Sequence, residues 1–192
     1  MAPAPMSDPD PIELDDLVGP GTRLLFVGIN PSMRSVADGA PFSSPSNRFW
    51  PALQRAGIVA PSIRPSPELS PADRREVIDR GIGITSLVRR ATPSIADLSR
   101  DELRDAREGL AERVEGIAPV VVAILGVTGF RIAFRQPTAG LGPQPSPFGG
   151  SRLWVVPNPS GRNRSASLDA LSEAYAAAAV AAGVELLRVA GA

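Results

Sequence analysis

The sequence predicts an α/β fold. Three observations carry that prediction. Short apolar stretches recur at residues 23–27, 120–125 and 152–156, each with the length and composition of a buried strand. Stretches of helical character lie between them, as layered α/β proteins require. Two of the strands run straight into a matched pair of polar turns, Gly28-Ile29-Asn30-Pro31 and Asn158-Pro159-Ser160-Gly161. In open α/β sheets the crevice beyond the strand ends is where small polar ligands bind.

Taken in order, residues 1–15 read as a flexible leader rich in Pro and acid, and residues 16–192 as one domain. Strand 23–27 is followed by a Pro/Gly/Ser-rich loop over 31–46, longer than a simple connection needs. Ser46-Asn47 caps a helix carrying Phe49, Trp50, Leu53 and Gln54 and ending near Gly57. A Pro-rich loop over 58–70 precedes a charged helix from Pro71 through Asp79. Residues 81–88 suit a short strand, weakened by Gly81 and Gly83. Ser99 caps a helix with Leu103, Ala106, Leu110 and Val114 on one face. Strand 120–125 is apolar throughout, as an interior parallel strand should be, and Gly126 ends it. A short helix through Phe134, a Pro/Gly loop over 136–150 and strand 152–156 follow. Ser167 opens an Ala-rich helix to about Ala181, stopped by Gly183, and residues 184–189 suit a terminal edge strand.

Composition removes whole classes of chemistry. The 192 residues include no His and no Cys, and all 20 basic residues are Arg. Disulfides, thiolate catalysis, His-dependent triads and most catalytic zinc sites are excluded, and Schiff-base chemistry is left with the terminal amine. No carboxylate cluster proposes magnesium, so neither metal nor cofactor is expected. No apolar run has the length of a membrane span, and the N-terminus lacks the pattern of a secretory signal, so the cytoplasm is the expected location.

The formal net charge is zero, yet its distribution is uneven. Residues 17–67 hold five Arg against Asp38 alone, and residues 116–168 hold five Arg and no acid. Both Asn-Pro turns fall in these positive segments. A local positive face can bind phosphate on a neutral chain, although chance placement would give the same pattern.

The turns themselves suggest chemistry. Gly28 permits close backbone approach to a ligand. Asn30 offers one acceptor and two donors, enough to orient a water or read a ring edge, and alternatively it only caps its turn. Pro31 stiffens the turn. Asn158-Pro159-Ser160-Gly161 continues into Arg162-Asn163-Arg164-Ser165, a loop able to present N–H groups to phosphate and push a side chain into a groove. A solvated strand-to-helix connection is the plainer reading of the same residues.

These blocks, with Pro41-Phe42, Ser46-Asn47-Arg48-Phe49-Trp50, residues 83–88, residues 123–126 and residues 167–175, resemble the mismatch-specific uracil/thymine DNA glycosylases of the uracil-DNA glycosylase superfamily. The likeness runs from about Arg23 to Ala181, with the blocks in family order. It implies a three-layer α/β/α sandwich around a central, mainly parallel sheet. It implies hydrolysis of the N-glycosidic bond of uracil, or of thymine or related lesions, opposite guanine in double-stranded DNA. The family's catalytic Asn matches Asn30, which would position the attacking water. Gly28, Ile29, Pro31, Phe42 and Asn158 would form the base pocket, with Phe42 stacking on the extruded base. Ser160, Gly161, Arg162, Asn163 and Arg164 would contact DNA and carry the wedge. Two departures stand out. Ser32 replaces the Gly that follows Gly-Ile-Asn-Pro in the bacterial pattern, and Arg162 replaces an apolar leading wedge residue, usually Leu.

Such an enzyme would act as a monomer, leave an abasic site and lack lyase activity. Two other readings exist: a DNA-binding module that keeps the crevice without catalysis, and a hydrolase of free nucleosides or nucleotides. A pure binder has no need of the Asn30 amide. A free nucleoside needs no wedge at Arg162–Arg164.

Overall fold

The computed structural model describes residues 12–188. Five strands form one sheet: β1 (Leu24–Gly28), β2 (Ile82–Ser86), β3 (Val121–Leu125), β4 (Gly142–Pro143) and β5 (Arg152–Val156), in the order β2-β1-β3-β5-β4. The β2–β1, β1–β3 and β3–β5 pairings are parallel, and only β4 runs antiparallel, on the β5 edge. The helices are α1 (Met33–Ala37), α2 (Phe49–Arg55), α3 (Pro71–Asp79), α4 (Arg100–Ile117), α5 (Val127–Ala133) and α6 (Leu168–Ala181).

The strand sequences explain why both faces are covered. Side chains alternate faces along a strand, so a strand apolar at every position needs a partner layer on each side. Leu24 and Phe26 of β1 and Val121, Ala123 and Leu125 of β3 join one core with residues of α2, α3 and α6. Leu25 and Val27, with Val122 and Ile124, join a second core with Leu103, Leu110 and Val114 of α4 and Phe130 of α5. The expected three-layer α/β/α sandwich with a mainly parallel sheet is what the chain forms.

Four segments differ from the sequence reading. Residues 184–188 form no strand, and Val189 lies outside the described residues. After Gly183 the chain turns back. Val184 N–H donates to Ala179 O (2.9 Å) and Leu187 N–H donates to Gly57 O (2.7 Å), so these donors are engaged away from any ladder. The antiparallel edge comes instead from β4, inside the expected Pro/Gly loop. Within the loop expected over 31–46 lies α1, capped by Ser32, whose Oγ accepts from Ser35 N–H at 3.1 Å. Of the expected leader, residues 1–11 lie outside the described residues. Residues 12–17 run along the free edge of β2 and the segment that follows it: Leu17 and Ile84 exchange both main-chain hydrogen bonds at 2.9 and 2.7 Å, and Ala91 N–H donates to Ile12 O at 2.8 Å.

Candidate active site

The strands β1, β3 and β5 end side by side, and the two Asn-Pro turns leave the outer pair. Between them opens a cleft of about 340 Å³. Gly28, Ile29, Asn30, Pro31, Phe42, Asn158, Ser160, Gly161 and Arg162 all line it; Asn163 and Arg164 do not. Its walls contain no acid, His, Cys, Lys or Tyr among the described residues, and Arg162 is the one charged side chain lining it.

Asn30 is held in one orientation. Its Nδ2 donates to Thr92 Oγ1 at 2.8 Å and to Pro31 O at 3.0 Å, with Arg90 O at 3.5 Å. Thr92 is buried and passes its own hydroxyl proton to Ser94 O at 2.7 Å. Its oxygen is therefore an acceptor toward Asn30, and the amide cannot flip without losing these contacts. The Asn30 Oδ1 makes no hydrogen bond among the described residues, which leaves an acceptor on the cleft wall. The loop carrying Thr92 is braced in turn. Glu102 of α4 takes both Nε (2.5 Å) and Nη2 (2.9 Å) of Arg90. The Arg90 hydrogen bonds hold the Glu102 carboxyl below its ordinary range.

Phe42 adopts φ +56°, a left-handed conformation costly for a bulky residue, at a position on the cleft wall. Its ring packs on Phe49 with centroids 4.2 Å apart. Gly28 makes room for it: a Cβ there would lie 3.0 Å from Phe42 Cζ. Ile29 contributes main chain to the cleft, because its side chain is buried in the second core against Gly129, where a Cβ would come within 2.4 Å of Ile29 Cδ1.

On the far wall Asn158 closes an Asx turn, its Oδ1 accepting from Ser160 N–H at 2.9 Å. Its Nδ2 meets no acceptor among the described residues. Gly126, at φ +117°, allows the approach, since a Cβ there would sit 3.3 Å from Asn158 Nδ2. The buried Tyr175 of α6 anchors the turn by donating its hydroxyl proton to Pro157 O at 2.9 Å, and burial pushes its pKa well above that of an ordinary phenol.

The loop after Asn158 is held from beneath by Arg48. Its Nη1 donates to Ala166 O (2.6 Å), and its Nη2 to Asn163 O (2.6 Å) and Ser160 O (3.1 Å). Arg48 N–H also donates to Pro159 O at 3.0 Å. Gly161 completes the join, because a Cβ there would lie 2.6 Å from Ser46 O. The Asn163 side chain is engaged inside the loop, with Nδ2 on Asn158 O (2.8 Å) and Oδ1 accepting from Ser165. Arg162 and Arg164 are exposed, and neither side chain makes an ion pair or hydrogen bond among the described residues.

Sequence reasoning missed Thr92 and the role of Arg48. Thr92 is 62 positions from Asn30 and sits in an unremarkable loop, so nothing local marks it. Arg48 stood inside a helix-start motif that explains it locally. Ser32 does line the cleft, but as the cap of α1, with its Oγ 3.0 Å from that of Ser35.

A mainly parallel sheet whose strand ends hold a polar cleft, beside a loop bearing two exposed arginines, defines an α/β protein with its candidate site at the carboxyl ends of the strands. Residues 16–181 match the family model of the uracil DNA glycosylase superfamily, and the chain belongs to that superfamily. Membership puts it among DNA glycosylases, hydrolases that act on DNA. The fold is also that of a protein from Methanosarcina acetivorans, described with its solution NMR structure as a candidate uracil DNA glycosylase. That structure is 16% identical with a TM-score of 0.57, over 90% of this chain and 96% of the other.

Proposed function

We propose that the protein is a monofunctional, mismatch-directed DNA glycosylase. It hydrolyses the N-glycosidic bond of uracil mispaired in duplex DNA and leaves an abasic site, with thymine and modified bases as further candidates. It works as a monomer, with the chromosomal DNA of the cytoplasm. The observation that carries this reading is the fixed Asn30 amide, whose nitrogen is engaged and whose oxygen has no hydrogen-bond partner among the described residues, at a position lining a cleft without an acid, His, Cys, Lys or Tyr.

In this mechanism the target nucleotide leaves the duplex, Arg162 fills the vacated space, and the base stacks on Phe42. Extrusion costs a few kcal/mol and is cheapest at a mispair, which favours mismatched over paired uracil. The glycosidic bond breaks with negative charge growing on the departing base and positive charge on the sugar. The Asn158 Nδ2 and the cleft's main-chain N–H groups stabilise that anion by hydrogen bonding. A water donating a hydrogen bond to Asn30 Oδ1 then captures the sugar cation, its oxygen forming the new bond to the sugar carbon and its released proton passing to the departed base anion through solvent, so the step gains from position rather than basicity. A DNA-binding module without catalysis would use the Asn30 amide only to join its turn to the loop carrying Thr92, and would release no base.

Product analysis tests the reading. Duplexes with uracil opposite guanine, uracil opposite adenine, thymine opposite guanine and modified bases, plus single-stranded uracil DNA, are incubated with the protein. Free uracil and an intact abasic strand are expected from the uracil–guanine duplex, with breaks only after alkali. Borohydride should trap no efficient adduct, because the chain has no lysine to form a Schiff base. Failure to release a base from any substrate would exclude the reading, and efficient trapping on a side chain would exclude the water mechanism.

Because the cleft offers no titrating base, single-turnover excision is expected to be level between roughly pH 5 and pH 8. The Glu102 carboxyl is depressed by Arg90, so its stabilising contribution is complete above the ordinary carboxylate pKa. That contribution is lost as pH falls through the depressed value, and the brace behind Asn30 loosens only there. A steep limb inside the level window would reveal a general base that this mechanism lacks.

A further inference from the structure

A second concavity, of about 410 Å³, lies between the start of α4 and the end of α5. It is lined by Arg100, Arg104, Arg131 and Arg135, with Ile132 and Pro137, and no acid lines it. The four guanidinium groups are poorly compensated. Among the described residues Arg104 alone of the four has an acid partner, Asp101 at 2.7 Å, and its Nε is buried without an acceptor. Arg131 donates its Nε to Ala139 O at 2.8 Å. The Arg100 and Arg135 side chains make no ion pair or hydrogen bond among the described residues. Arg135 is also held at φ +54°, a left-handed conformation that costs energy for a residue with a Cβ.

Like charges gathered in a concavity repel, and an anion with several oxygens relieves that repulsion. Guanidinium forks match phosphate oxygens in geometry as well as charge. The position also suits DNA. Arg90, whose carbonyl neighbours Asn30, is ion-paired to Glu102 in the first turn of α4. The arginine groove therefore begins on the same edge of the molecule as the cleft, on its flank.

We propose that this groove binds the phosphodiester backbone of the duplex at a distance from the target nucleotide. It would act as a second, sequence-independent contact that holds DNA while the cleft samples bases. The proposal rests on the glycosylase reading, because it takes duplex DNA as the ligand. Free phosphate offers the same oxygens and is separated from duplex by experiment.

The test uses the double variant Arg100→Gln/Arg135→Gln, which removes the two unpartnered guanidiniums. Affinity is measured across a salt series on a uracil duplex of about one helical turn, roughly 10 bp, and on one of about three turns. On the long duplex the slope of log affinity against log salt should become shallower by about 1.8, at 0.9 for each lost phosphate contact. On the short duplex the slope should match the parent. Arg100→Lys/Arg135→Lys should restore the long-duplex slope, which a merely structural role would not. Unchanged slopes on both lengths would overturn the proposal. Equal changes on both would place these arginines at the target site and overturn it as well. Titration of the parent with inorganic phosphate, followed through arginine Nε–H resonances, separates the sources. Binding of phosphate there with an unchanged long-duplex slope would assign the groove to the free ion instead. Excision on the short duplex is scored separately, so failure of catalysis and failure of the groove are distinguishable.

Discussion

Asn30→Ala is expected to lower single-turnover excision of uracil at least roughly 100-fold while leaving duplex affinity close to the parent value. The effect is large because the variant removes the one amide oxygen of the first turn, and a hydroxyl set back on the wall, such as Thr92 or Ser86, would hold a water at a different place. The Ser32 and Ser35 hydroxyls are committed to each other and to the α1 cap. Alanine leaves a water without its acceptor and Thr92 without its donor, but it disturbs no core packing, since Asn30 is only partly buried. A companion variant separates orientation from presence. Thr92→Val keeps the Asn30 amide and removes its strongest anchor, so excision should fall by a smaller factor, about tenfold, without loss of binding. Saturating-enzyme excision rates and a separate binding titration read both effects. If Asn30→Ala excises near the parent rate, the water is held elsewhere and the proposed role of the turn is wrong.

Much of this fold was legible because its signals are local. Residues 121–125 are apolar at every position and could only be an interior strand; Ser99 and Ser167 announced α4 and α6 by their caps. The edges were harder for a physical reason. The pair Gly142–Pro143 has almost no strand propensity and becomes a strand by pairing with Val155 and Trp154, more than ten positions away. Residues 184–188 are strand-like in composition, but Leu187 is drawn to Gly57 by tertiary contact. The site divides in the same way. Asn30, Phe42 and Asn158 stood in recognisable turns or blocks, and the cleft gathers them. Thr92 and Arg48 act on residues 62 and more than 110 positions away, and no local pattern carries such a pairing. Asn163, expected to face DNA, has its side chain turned into its own loop, a choice that depends on how far the Asn158 carbonyl lies from it.

Arg48→Met is expected to impair excision from duplex far more than excision from single strands. Methionine keeps the aliphatic stem and removes the guanidinium that joins three carbonyls of the 158–166 loop. Hydrogen bonds from a charged donor contribute about 1.5–3 kcal/mol each, and part of that is recovered as the exposed carbonyls take up water. A net loss of about 3 kcal/mol of loop order would lower the population of the wedged, base-extruded complex by roughly 100-fold. Single-stranded uracil needs no unpairing, so its excision should stay close to the parent rate. Arg48→Lys should recover little, because a point charge on a flexible stem cannot serve Ala166 O, Asn163 O and Ser160 O together. Thermal melting guards against a folding defect, since Arg48 precedes the buried Phe49 at the start of α2. Parallel loss on single- and double-stranded substrates would show that Arg48 supports the cleft itself. Loss confined to duplex would show that the order of this loop, and not its exposed arginines alone, lets the protein open a mispair.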